Sequence, residues 1–110
     1  MEISTRTEKH VVVVSVKGKM DAASSTTFEK EVDSLIAGGS NALIVDFSDL
    51  NYISSAGVRS LLILAKKLEA KQGKLSICSP KDIVLQVLKI SGFIAILPVY
   101  ESVESALAQM

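Results

Sequence analysis

The sequence is poor in the residues that most often build covalent or metal-bound sites. Its 110 residues include one cysteine, one histidine and no tryptophan. A single cysteine excludes an internal disulfide and a metal site made of several cysteines. Cys78 lies in the strand-like residues 75–78, where we expect a buried and unreactive thiol. His10 has no second histidine or cysteine with which to bind a metal, so we expect a solvent-exposed turn residue.

The chain also lacks an excess of one charge and lacks long apolar runs. Twelve basic side chains balance twelve acidic ones, whereas nucleic-acid-binding proteins usually carry a basic excess or stripe. We therefore expect a protein or a small ligand as the partner and no direct contact with nucleic acid. No apolar run approaches the ~20 residues of a membrane span, and residues 1–6 lack the order of a signal peptide. These absences predict a cytoplasmic protein.

Motifs for nucleotide and acyl-transfer chemistry are absent as well. The chain has neither a Gly-x-x-x-x-Gly-Lys loop nor a Gly-x-Gly-x-x-Gly fingerprint. Residues 54–57 read SSAG and lack the first glycine of the nucleophile elbow. His10 is the only histidine that could act as a base, and it lies in a distant hairpin turn. A serine–lysine pair stays open on sequence alone, but we expect no enzyme, no cofactor and no metal.

What the sequence does contain is a regular alternation of strand and helix patterns. Strands are predicted at residues 3–8, 11–16, 42–47, 75–78 and 95–97. Helices are predicted at residues 22–37, 55–72, 80–90 and 103–107. The order β-β-α-β-α-β-α-β-α indicates a single α/β domain over residues 1–110, with a mixed, mostly parallel central sheet and about four helices.

Residues at the predicted helix starts include good N-caps. Ser79 before Pro80 is the expected cap of the third helix, and Ser102 that of the last. Several residues could cap the first helix, and the sequence does not choose among them: Asp21, Ser24, Ser25, and Thr26 with Glu29 as a capping box.

The junction between the third strand and the second helix places two serines where the helix begins. Ser54 or Ser55 could cap the helix, and a phosphate there would meet free backbone N–H groups. Gly57 in the first turn costs roughly 1 kcal/mol relative to alanine, which suggests a steric reason such as the close approach of another chain. Ligands of open parallel sheets bind outside the carboxyl ends of the strands, where this junction is expected.

Three segments of the chain resemble one family. Residues 49–62, DLNYISSAGVRSLL, resemble the signature of the STAS-domain anti-sigma-factor antagonists. Residues 17–21, KGKMD, are similar to that family's Gly-x-Leu-Asp segment, and residues 90–93, ISGF, to its late Ser-Gly turn. The resemblance implies a STAS fold over the length of the chain.

The resemblance also implies a function, that of a partner-switching regulator. In this family the unphosphorylated antagonist binds an anti-sigma factor that is also a serine kinase, and so frees a sigma factor. Phosphorylation abolishes binding, and a metal-dependent serine phosphatase restores it. The matching acceptor is Ser55, and Asp21 matches a loop acid that positions the site or contacts the kinase. The implied partner-binding residues are Asp21, Ser54, Ser55, Ala56, Gly57 and Arg59.

Two positions depart from the family pattern. Many members have aspartate before the phosphorylated serine, where this chain has Ser54, and serine or threonine after it, where this chain has Ala56. Ser54 is therefore a second possible acceptor. Two other functions stay open: a non-switching STAS module in a transport or signalling complex, and a sensor of a small ligand or nucleotide.

Overall fold

The chain forms six strands and four α-helices, and the computed structural model describes residues 1–110. The strands are β1 (Glu2–Glu8), β2 (Val11–Met20), β3 (Ala42–Asp46), β4 (Leu50–Ile53), β5 (Lys74–Cys78) and β6 (Val99–Tyr100). The helices are α1 (Ala22–Ala37), α2 (Ser55–Ala70), α3 (Asp82–Ile90) and α4 (Val103–Ala108). A short 3₁₀ helix, Phe93–Ala95, follows α3.

The strands form one sheet in the order β1-β2-β3-β5-β6, and β4 pairs with the far end of β2. β1 and β2 are antiparallel and all other pairs are parallel. Lys9 and His10 have φ values of 50° and 73°, which a tight two-residue hairpin turn requires. The structure confirms the predicted α/β class, the mostly parallel sheet, the four helices and the exposed position of His10.

The sheet is buried on both faces, as the run of valines in β2 predicted. Val14 and Val16 belong to a core cluster of 20 buried residues that also includes the apolar faces of α1, α2 and α3. Val11 and Val13 point the other way, into a cluster of six buried residues beneath α4. This alternation follows from the two-residue period of a strand.

The predicted element order is wrong at one place, because it omits β4. Residues 50–53 form a strand that pairs with an extension of β2 beyond Val16. Met20 stands opposite Ile53 in this pairing. The observed order is β-β-α-β-β-α-β-α-β-α. The extension contains Gly18 and two lysines and β4 has only four residues, so neither partner has a recognisable strand pattern alone.

Two boundaries near the C-terminus also differ from prediction. Ser79 does not cap α3: its φ is +58°, its hydroxyl donates to the Glu101 carbonyl at 3.0 Å, and Lys81 occupies the cap position. No strand forms at the expected residues 95–97, because the 3₁₀ helix ends at Ala95 and a turn follows, and β6 forms after Pro98. The Pro98 carbonyl accepts from Ile77 N at 3.2 Å, so the proline lies next to the sheet and not within a paired strand.

None of the helices has the combination of length and apolar character needed to span a membrane.

Candidate functional site

The parallel pairing of β2 with β4 brings the starts of α1 and α2 together. Met20 and Ile53 are opposite one another at the ends of these strands, and each is followed by the N-cap of a helix, Asp21 for α1 and Ser54 for α2. The Met20 carbonyl accepts from Ser54 N at 2.9 Å and from Ser54 Oγ at 3.2 Å. Two of the predicted site residues therefore lie side by side at the carboxyl edge of the sheet.

The Ser54 hydroxyl is hydrogen-bonded within the fold both as a donor and as an acceptor. It accepts from Gly57 N at 3.3 Å, which makes Ser54 the N-cap of α2. The same hydroxyl donates to the Met20 carbonyl, and the residue is partly buried. Of the two serines that the sequence offered as caps, Ser54 is therefore the N-cap of α2 and Ser55 is not.

Ser55 has the opposite environment. It is the first residue of α2, it is exposed, and its hydroxyl makes no hydrogen bond to the protein. The first turn of α2 contains no acidic residue. The Ser55 hydroxyl is therefore open to solvent at the positive end of the helix dipole.

Asp21 forms a reciprocal cap at the start of α1. Its carboxylate accepts from Ser24 N at 3.0 Å and from Ser24 Oγ at 2.9 Å, and Asp21 N donates back to Ser24 Oγ at 2.8 Å. These bonds, chiefly the one from the Ser24 backbone N–H, hold the pKa of Asp21 below its ordinary value. Asp21 is thus the cap that the sequence left undetermined, and it is only partly buried.

The Thr26–Glu29 capping box does not form. Glu29 instead accepts from Ser60 Oγ at 3.0 Å and so links α1 to α2. This bond joins the two helices that begin at the site.

Gly57 is buried against the strands that carry the two caps. A Cβ at this position would lie 2.7 Å from Ile53 Cγ1 and 2.8 Å from the Met20 carbonyl oxygen. The sequence suggested that another chain approaches here, but the close neighbour is the protein's own sheet. The missing side chain lets the first turn of α2 pack directly on β2 and β4.

A groove between α2 and α3 extends from Ser55. It has a volume of about 400 Å³ and is lined by Ser55, Val58, Arg59, Leu62, Val87, Ile90 and Ser91. Arg59 and Ile90 are exposed, and 86% of the Ile90 surface is accessible. Val87 and Ile90 are not among the residues that the sequence predicts for the site. Ile90 lies off the buried face of α3, which is formed by Val84 and Leu88. An isoleucine at such a position was the feature of the sequence that indicated an exposed apolar surface on α3.

The structure does not bring the only histidine to Ser55. His10 precedes the first residue of β2, whereas the site lies beyond the last residue of that strand. No group of three or more His, Cys, Asp or Glu side chains is placed to hold a metal ion. Cys78 is buried, as predicted. Burial, with the nearby Asp46 charge, raises the pKa of its thiol to about 11.

Comparison with known proteins identifies the family. The STAS domain model matches residues 2–106. The chain belongs to the STAS domain family. It is 37% identical over 98 residues to BtrV of Bordetella bronchiseptica, a candidate anti-sigma factor antagonist; the match covers 89% of this chain and 84% of BtrV.

Solved STAS structures show the same fold. A candidate anti-sigma factor antagonist from Thermotoga maritima is 20% identical, with a TM-score of 0.93, over 97% of this chain and 92% of that one. SpoIIAA, a Bacillus cell fate determinant solved in its phosphorylated form, is 21% identical, with a TM-score of 0.75, over 98% of each chain. These structures show the fold, and the 37% identity to BtrV together with the STAS domain match shows that the chain belongs to the anti-sigma factor antagonist family.

Proposed function

We propose that this STAS chain is an anti-sigma factor antagonist that works by partner switching, with Ser55 as its phosphorylated residue. The unphosphorylated form binds an anti-sigma factor that is also a serine kinase, and thereby releases a sigma factor. Phosphorylation of Ser55 ends this binding, and a metal-dependent serine phosphatase reverses it. The observation that carries the proposal is the contrast between two adjacent serines: Ser54 is bound within the fold, and Ser55 is exposed and free.

The contrast bears on which hydroxyl a kinase can use. Phosphorylation of Ser54 would remove the proton given to Met20 and place a bulky anion in a partly buried contact. Phosphorylation of Ser55 disturbs no hydrogen bond of the fold. The attached phosphate would point into solvent beside backbone N–H groups of the first turn, an environment that suits an anion.

Loss of binding follows from the added charge and bulk. A phosphate on Ser55 brings about −1.5 to −2 charges and three strong acceptor oxygens. A partner packed over the start of α2 would have to strip water from that charge, at a large cost unless the partner supplies cations. The domain itself does not bury the group, so we expect the fold to persist while the interface is lost.

The six residues proposed for the partner-binding site divide into two groups. Ser55 and Arg59 have exposed side chains that could touch a partner, and Asp21 and Ala56 are partly accessible. Ser54 and Gly57 act by shaping the start of α2, since one caps the helix and the other packs against Met20 and Ile53.

The departure at Ser54 is compatible with the switch. Serine and aspartate are both strong N-caps, and the Ser54 hydroxyl fills that role here. Serine carries no negative charge next to the acceptor, whereas aspartate does. The absence of that charge makes the addition of a phosphate electrostatically easier.

Phosphosite mapping in the native cell tests the proposal. Mass spectrometry of wild type, Ser55→Ala and Ser54→Ala should find phosphate on Ser55 in the wild type and in Ser54→Ala, and none in Ser55→Ala. A pull-down with the unphosphorylated protein should recover an anti-sigma factor kinase, and stoichiometrically phosphorylated protein should not. Equal recovery by both forms would refute the switch and favour a constitutive STAS module.

A nucleotide titration tests the remaining alternative. We expect NMR shifts around Asp21 and Ser55 to stay constant on addition of nucleotides to the isolated protein. Saturable shifts at these residues would instead identify a small-ligand sensor.

A further inference from the structure

Arg59 has no partner in the fold. The two ion pairs of the chain are Arg6–Glu8 and Lys67–Asp33, and no hydrogen bond involves the Arg59 side chain. The residue is exposed on α2 and lines the α2–α3 groove together with Ser55. An unpaired guanidinium therefore lies one helical turn from an unbonded hydroxyl.

The spacing of the two residues suits an ion pair that would form after phosphorylation. Residues four apart on a helix are neighbours, with about 5–6 Å between their Cβ atoms. Helical side chains lean toward the N-terminus, so Arg59 leans toward Ser55. An acidic group that precedes a basic one at this spacing is the more favourable order.

No lysine lines the α2–α3 groove. Lys81 Nζ donates to Asn51 Oδ1 at 2.6 Å. Lys19 lies opposite Tyr52 in the β2–β4 pairing, and Lys89 lies in the last turn of α3. Arg59 is the charged residue among those that line the groove, and its planar fork can bind a phosphate through two parallel hydrogen bonds.

We propose that Arg59 is the positioning residue for the phosphate, and that the phosphorylated Ser55 and Arg59 form an intrahelical ion pair across the mouth of the α2–α3 groove. This inference rests on the proposed function, because it takes Ser55 as the phosphorylated residue. The pair fixes the phosphate over the groove, beside Val87 and Ile90. One modification then changes the charge at the start of α2 and also covers the apolar wall next to it.

Direct incorporation of phosphoserine at position 55 during translation allows a test without the kinase. The second pKa of the phosphate, about 6 when unperturbed, is measured by ³¹P NMR titration. We expect the wild-type value to lie about half a unit or more below that of Arg59→Gln. Arg59→Lys should recover part of this difference.

Lys66→Gln is the matched control. It removes the same charge from an exposed position of α2, but it lies about 16 Å along the helix from Ser55, beyond the screening length in physiological salt. We expect its phosphate pKa to equal that of the wild type. The ¹⁵N–¹H resonance of Arg59 Nε should also shift between the unmodified and the phosphorylated wild type.

Equal phosphate pKa values in wild type and Arg59→Gln, with an unmoved Nε resonance, would overturn the inference. The other charged groups of the chain, among them Asp21, Lys19, Lys81, Asp82 and Lys89 on the elements around Ser55, are the same in both proteins. The titration involves neither kinase nor partner. The titration and the test of the switch are therefore independent. The pKa difference can be found even if phosphorylation does not end partner binding, and the switch can work even if the two phosphate pKa values are equal.

Discussion

At the scale of single residues, two neighbouring serines predict different effects of the same substitution. Ser54→Ala removes the cap of α2 and the bond to Met20, and we expect the free energy of unfolding to fall by about 0.5–2 kcal/mol. Ser55→Ala removes an exposed, unbonded hydroxyl, and we expect a change within about 0.5 kcal/mol. Urea unfolding followed by circular dichroism measures both.

The pair of variants is its own control, because the chemical change is identical and the positions are adjacent. A larger loss for Ser55→Ala than for Ser54→Ala would contradict the assignment of Ser54 as the cap. It would also remove the physical ground for separating a structural serine from a regulatory one.

Gly57 offers a second prediction at this scale. Alanine is the better helix former by roughly 1 kcal/mol, yet its Cβ would lie 2.7 Å from Ile53 Cγ1 and 2.8 Å from the Met20 carbonyl oxygen. The carbonyl belongs to a paired strand and cannot move aside easily, and such overpacking typically costs 1–3 kcal/mol, as an order of magnitude. We expect Gly57→Ala to lower the melting temperature measured by calorimetry.

Gly38→Ala is the matched control for that substitution. Gly38 has a φ of −79°, and a Cβ there would lie 3.4 Å from the Ser34 carbonyl oxygen, an ordinary contact. We expect an unchanged or slightly raised melting temperature. If Gly57→Ala behaved in the same way, the start of α2 would not be packed as tightly as described.

At the scale of elements, the Asp21 cap of α1 makes the free energy of unfolding depend on pH in the acidic range. The folded pKa of Asp21 is lowered by the bonds from Ser24. The carboxylate therefore stabilises the fold at pH values above its unfolded pKa, and this contribution is lost as the pH falls through the lower folded pKa. Asn is a comparable N-cap but does not titrate. We expect Asp21→Asn to lose less stability than the wild type between pH 6 and pH 3, as measured by urea midpoints.

The two proteins share every other carboxylate, so the contributions of those groups to the pH dependence cancel when the two losses of stability are compared. Identical losses in the two proteins would mean that the Asp21–Ser24 bonds do not stabilise the charged form. Asp21→Ala removes the cap at every pH, so its urea midpoint should be lower than that of Asp21→Asn at both pH 6 and pH 3.

The sequence predicted those elements whose signal is local. The bounds of α1 and the turn between β1 and β2 agree with the structure because periodicity, a glycine stop and β-branched runs are all visible within a short window. The end of β2 does not agree, since the predicted strand stopped at Val16 and β2 continues to Met20. β4 is set by its partner instead. Its four residues become a strand because β2 continues past Val16 and offers a free edge. That partnership is a long-range contact, which no local pattern contains.

The same limit applies to the site. The sequence placed two serines at a helix start, but the choice of cap depends on where β4 ends, and the family resemblance alone selected Ser55 as the acceptor. The sequence indicates a steric reason for Gly57 but suggests another chain as the neighbour, whereas the pairing of β2 with β4 brings Met20 and Ile53 against it. Val87 and Ile90 come from α3, about 30 residues further on, and tertiary packing brings them to the groove.

At the scale of the whole molecule, the sheet separates a large core from a small one. The small cluster contains Val11, Val13, Ile44 and Cys78, and α4 covers it with Val103 and Ala106. α4 has only six residues, so the integrity of this face depends on its docking. Cys78 is the only cysteine, and its reactivity therefore reports on this docking without interference from another thiol.

We expect Cys78 to react slowly with a thiol reagent at pH 8 in the native protein. Burial blocks access, and a thiol pKa of about 11 leaves little reactive thiolate. In urea the rate should rise together with the loss of circular dichroism, since the unfolded thiol is accessible and recovers a pKa of about 8.5. Ala106→Asp, which places a charge in the buried contact of α4, should speed labelling without urea, and Ala108→Asp at an exposed position should not. Fast labelling of the wild type in native buffer would show that α4 opens independently, and the small core would then not be part of the cooperative fold.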